Sequence, residues 1–78
     1  MADLPIGVAV RRVRESRGMK KCDLARKSSM TRQYIYKLES DHVSPQIDTL
    51  NMVAVGLDIE LWKLLRFAQK LHKELETA

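Results

Sequence analysis

Cysteine is almost absent from the chain, with Cys22 standing alone among 78 residues. One thiol cannot close an internal disulfide, and no Cys/His cluster with metal-ligand spacing accompanies it. Neither a disulfide framework nor a metal centre nor a cofactor is expected, and the pattern suits a reducing cytoplasm. Glycine and proline are scarce, at three and two residues, and no repeat, linker or low-complexity segment divides the chain, so a single domain over residues 1–78 is expected. No apolar run reaches the roughly 18 residues that would suggest a membrane span. The N-terminus also lacks the basic region, apolar core and small-residue cleavage site of a signal peptide. Along the sequence His42 and His72 are not placed beside a nucleophile or a paired carboxylate, and there is no glycine-rich phosphate loop, so an enzyme is not expected.

A chain this short buries only about 60% of the surface its unfolded form exposes. With disulfide and metal excluded, association with a second copy is the expected support.

Charge is plentiful and unevenly placed. Residues 1–37 hold ten Lys/Arg against three Asp/Glu, a sum of +7, whereas residues 38–78 hold four against seven, a sum of −3. A basic half on a mixed chain suits a polyanion, because cations near phosphates release condensed counterions, although solvated helix surface has the same composition.

Apolar spacing predicts an all-α fold of five helices. Ile6, Val10 and Val13 recur on one helical face, with Gly18 placed to stop a first helix over about 6–17. Leu24 and Ala25 give one buried edge to a short second helix between Lys21 and Lys27. Thr31 is suited to N-cap a third helix over about 32–39, with Ile35 and Leu38 on its core side. Ser44 and Pro45 suit the N-cap and first position of a fourth helix, whose apolar side is Ile47, Leu50, Met52, Val53 and Ala54 and whose stop is Gly56. Asp58 would cap a fifth over about 58–75, with a stripe of Leu61, Leu64, Leu65, Ala68, Leu71 and Leu75 widened by Ile59, Trp62 and Phe67. Residues 70–78 read as an extended or fraying end.

Two short helices joined by a tight turn, the second exposing polar side chains, match a DNA-binding helix-turn-helix. Within "IGVAVRRVRESRGMKKCDLARKSSMTRQYIYKLESDHVSPQIDTLNMVAVGLDIELWKLL", the features "RVRESRGM", "LA", "TRQYIYKLE" and "SP" fall in order. Here the sequence resembles the phage repressor/Cro-type, or xenobiotic-response-element, helix-turn-helix family, over residues 6–65. The resemblance implies a lambda-repressor-like fold and a transcriptional regulator similar to restriction-modification controller proteins, small phage or plasmid repressors and some antitoxins. The family usually has Gln where Lys21 stands and Gly where Ser29 stands.

The resemblance implies that Arg32, Gln33 and Lys37 point into the major groove of double-stranded DNA, and their chemistry agrees. Arg or Lys pairs with guanine O6/N7 and Gln with adenine N6/N7. Tyr36 could meet a thymine methyl or sugar edge and Tyr34 a phosphate, with partial burial the alternative for each. Lys21, Thr31 and the amides opening the second helix are candidates for the DNA backbone, joined by His42 and Ser44 in the following loop. The resemblance also implies a structural ion pair between Arg14 and Glu39. Arg11, Arg12 and Arg17 read as solvated.

The fifth helix carries more apolar surface than one small core needs. Leu61, Trp62, Leu65 and Ala68, with the end of the fourth helix, are expected to form a two-fold homodimer interface. A partner-capturing, antitoxin-like module using the same face is the alternative. No small-molecule ligand and no membrane partner are expected.

Overall fold

Five helices and no strand occur among the described residues: α1 (Ile6–Ser16), α2 (Lys21–Lys27), α3 (Arg32–Glu39), α4 (Ile47–Gly56) and α5 (Leu61–Thr77). The structure, a computed structural model, describes the backbone of residues 4–77 and the side chains of residues 4–74. The expected all-α fold is present. The principal packing pairs form a closed circuit, α1 to α3 to α2 to α4 to α5 and back to α1. Val10, Leu24, Ile35, Leu38, Val53, Leu57 and Leu64 fill its centre.

The first four helices end in the same way. Gly18, Ser29, Asp41 and Asp58 each adopt a left-handed backbone, with φ of 67°, 57°, 58° and 58°. Behind each, two amides turn back onto the last carbonyls. Met19 N donates to the Arg14 carbonyl at 3.1 Å, Met30 N to Ala25 at 2.8 Å, His42 N to Lys37 at 2.9 Å and Ile59 N to Ala54 at 3.0 Å. This is the Schellman closure, which satisfies orphan carbonyls and turns the chain sharply. In three of four cases a serine or aspartate, rather than glycine, takes the left-handed position.

That pattern corrects the expected boundaries. Asp58 is the left-handed stop of α4 and not the cap of α5, which begins at Leu61. Gly56 lies inside α4, buried against α2, where an added Cβ would collide with the Ser28 hydroxyl and lie 3.2 Å from Leu24 Cδ1. The first helix ends at Ser16, with Arg17 as its cap. Gln46 precedes α4, so Ser44 and Pro45 belong to the loop. Residues 70–77 continue α5 as helix. Leu75 of the expected stripe lies outside the described side chains.

Two apolar assignments also change. Leu50, Val53 and Ala54 are buried, but Ile47 and Met52 are 57% and 44% exposed, and Val55 is 68% exposed.

Candidate nucleic-acid interface

The outer face of α3 follows from its inner one. Ile35, Leu38 and Glu39 turn into the protein, which at about 100° per residue leaves Arg32, Gln33, Tyr36 and Lys37 exposed. Thr31 starts the helix from an extended backbone, and its Oγ1 accepts the Tyr34 amide at 3.0 Å. This cap fixes where the first turn begins, and therefore where Arg32 and Gln33 project. Tyr34 is half-buried and packs against the core, the second of its two expected readings.

Two contacts hold α3 against α1. At the N-terminal end of α1, the Gly7 amide donates to Asp41 Oδ1 at 3.2 Å, and a Cβ on Gly7 would lie 2.5 Å from the Leu38 carbonyl oxygen. Only glycine permits that approach. Farther along, Arg14 Nε donates to Glu39 Oε2 at 2.7 Å and Nη2 to Oε1 at 3.1 Å, while Nη1 donates to the Met19 carbonyl at 2.8 Å. The Glu39 hydrogen bond raises the Arg14 pKa above its ordinary value, against the opposing effect of burial.

At the other end of the motif, the Lys20 amide donates to the Asp23 carboxylate at 2.9 Å, capping the start of α2. Lys21, Arg32, Gln33 and Tyr36 meet in one surface cleft that Lys20 and Cys22 also line. Lys21 Nζ lies 4.9 Å from the centroid of the Tyr36 ring, a contact between α2 and α3 that the sequence did not signal. His42 and Ser44 are exposed in the loop before α4. Arg17, expected to be solvated, donates through Nη2 to the Asp58 carbonyl at 3.2 Å.

The expected α5 residues separate. Trp62 is 55% exposed, and Leu61 and Leu65 are half-buried. Ala68 is fully buried in the chain's own core, so its methyl offers nothing to a partner. Trp62 is held in place locally, donating Nε1–H to the Glu60 carboxylate with Lys63 Nζ 5.5 Å from its ring centroid.

The profile of the family described as Helix-turn-helix matches residues 10–61. The chain belongs to this helix-turn-helix family. It is 29% identical over 58 residues to the immunity repressor protein of Bacillus phage phi105, covering 74% of this chain and 40% of that protein. The chain thus spans about two fifths of that repressor's length. Among solved structures, the restriction-modification controller protein C.Esp1396I is similar, with 26% identity and a TM-score of 0.79 over 85% of this chain and 86% of that one. The controller protein C.AhdI from Aeromonas hydrophila has 26% identity and a TM-score of 0.75 over 78% of this chain and 92% of its own. Family membership assigns a helix-turn-helix domain to residues 10–61, which contain α2 and α3. No helix among the described residues is long and apolar enough to cross a membrane.

Proposed function

We propose that this helix-turn-helix protein is a sequence-specific transcriptional regulator that binds a pseudo-palindromic operator as a homodimer, acting as a repressor or as a controller of its own operon. The observation that carries the reading is the outer face of α3, where Arg32, Gln33, Tyr36 and Lys37 stand exposed opposite the buried Ile35 and Leu38. Arg32 and Lys37 suit guanine, Gln33 suits adenine, and the Tyr36 ring suits a thymine methyl. Lys21, Thr31, His42 and Ser44 approach the phosphates, where they set register without reading sequence. The half-buried Tyr34 contributes its hydroxyl to the backbone at most. The names of the similar proteins, a phage immunity repressor and restriction-modification controllers, support the regulatory class.

The dimer reading rests on exposed apolar side chains from two adjacent helices. Met52 and Val55 of α4 and Trp62 of α5 are each more than two-fifths exposed, with Leu61 and Leu65 beside Trp62 on α5. In the packing circuit α4 and α5 are not principal neighbours of α3, which leaves the reading face open when two copies join. Two recognition helices then stand about 34–36 Å apart, one turn of DNA. The same apolar surface also favours a second reading, capture of a protein partner by a monomer.

Selecting bound duplexes from a random pool tests both readings. A two-fold symmetric motif is expected, with an affinity that falls steeply as salt rises. Absence of enrichment at low salt contradicts the DNA reading and leaves partner capture.

A further inference from the structure

We infer that Lys21 is a positioning residue for Tyr36, so that selectivity at the base pair Tyr36 meets is set in part by a side chain on another helix that touches no base. The inference rests on α3 being the base-reading helix. Tyr36 is 56% exposed and projects from the outer face of α3, where its ring is free to rotate about two side-chain bonds. Its neighbours one turn earlier on α3, Arg32 and Gln33, are themselves exposed and mobile in principle, so α3 alone does not fix the ring.

Lys21 does. Its ammonium lies 4.9 Å from the ring centroid, inside the about 6 Å range over which a cation is attracted to an aromatic face. Its own base is rigid, because Asp23 caps the first turn of α2 and Leu24 and Ala25 anchor that helix in the core. Among the described residues no carboxylate forms an ion pair with Lys21, so the ring is the partner that the geometry gives it. A cation on one face leaves the opposite face, the edge and the hydroxyl of Tyr36 available to a base. Holding the ring in that pose before binding removes an ordering cost that a free side chain would meet on contact.

The arrangement differs from a plain phosphate contact in what it predicts. A phosphate contact strengthens binding to every sequence and adds about 0.9 to the logarithmic salt slope. A positioning contact changes preference at one base pair, which a phosphate contact alone does not do, whatever Lys21 also contributes to the slope.

The test compares wild type with Lys21→Met, Lys21→Arg, Tyr36→Leu and the Lys21→Met/Tyr36→Leu double variant, each checked by thermal melting for an intact fold. Each is then measured for base preference by duplex selection and for affinity across a salt series. Lys21→Met is expected to relax preference by about two- to fivefold at the same base pair that Tyr36→Leu relaxes. Lys21→Arg retains a cation for the ring and is expected to preserve the preference. Added to Tyr36→Leu, Lys21→Met should change nothing more at that base pair. If Lys21→Met weakens all sequences alike and lowers the salt slope with the motif intact, Lys21 is a phosphate contact only and the inference is overturned. If wild type selects no motif, the base-reading role of α3 fails first and the inference falls with it.

Discussion

Arg14 Nε and Glu39 Oε2 are 2.7 Å apart in a pair almost closed to solvent, joining the last turns of α1 and α3. The guanidinium engages both carboxylate oxygens and a third acceptor at the Met19 carbonyl, so its charge is met on several sides. The pair therefore sets the orientation of α3 relative to the rest of the protein. Its net worth is small beside an apolar replacement, but the loss of one member strands the other in the interior.

Arg14→Met is accordingly expected to lower unfolding stability by about 3–5 kcal/mol in urea titration. The pH dependence has a definite sign. The folded Arg14 pKa is raised, chiefly by the Glu39 hydrogen bond, so the stability carried by that charge is complete below the ordinary arginine pKa and is lost only as pH rises through the folded value. The difference between wild type and Arg14→Met should therefore be the same at about pH 7 and about pH 10, well below arginine titration. A gap that closes between those two points would contradict the assignment.

A second prediction concerns the seam between α2 and α4. Ser28 Oγ is buried with no hydrogen-bond partner, and it faces Gly56. Ser28→Ala removes an unsatisfied hydroxyl and is expected to raise stability by about 1 kcal/mol. Gly56→Ala is expected to cost about 1–3 kcal/mol through overpacking, and less in the Ser28→Ala background. Strict additivity of the two in denaturant titration would show that they do not meet.

The left-handed stops give a third. Ser29 holds φ of 57° with a side chain that this region disfavours. Ser29→Gly should stabilise the protein by up to about 1 kcal/mol, while Ser29→Val should destabilise it, with opposite shifts in melting temperature.

These stops also show why helices were easier to read than their ends. The apolar spacing of Val10, Leu24, Ile35, Val53 and Leu64 identified five helices correctly because each must turn one face to a shared core. Asp58 was misplaced because aspartate suits both an N-cap and a left-handed stop, and only the Ile59 amide returning to Ala54 separates the two. Ile47 and Met52 were not distinguishable from Val53, since α4 is apolar on most sides and packing decides which side is inward. The Lys21 and Tyr36 contact depends on the angle between two helices, which no local spacing encodes.

Val55 and Trp62 lead to a fourth prediction. Both are more than half exposed, so substitution should leave the fold of one chain intact. Val55→Glu and Trp62→Glu are each expected to convert the proposed dimer to monomer in sedimentation or gel filtration, with unchanged helical circular dichroism. A dimer that persists in both would place the interface elsewhere.

The most direct measurement is the base preference of Arg32→Ala compared with wild type in duplex selection. Arg32 opens α3 and projects from its exposed face, and a guanine contact there is worth about 1–3 kcal/mol of discrimination. Wild type should return a two-fold symmetric motif, and Arg32→Ala the same motif with one symmetric pair of positions relaxed by about 5- to 150-fold. An Arg32→Ala protein that selects an unaltered motif, or a wild type that selects none, would contradict base reading by this helix.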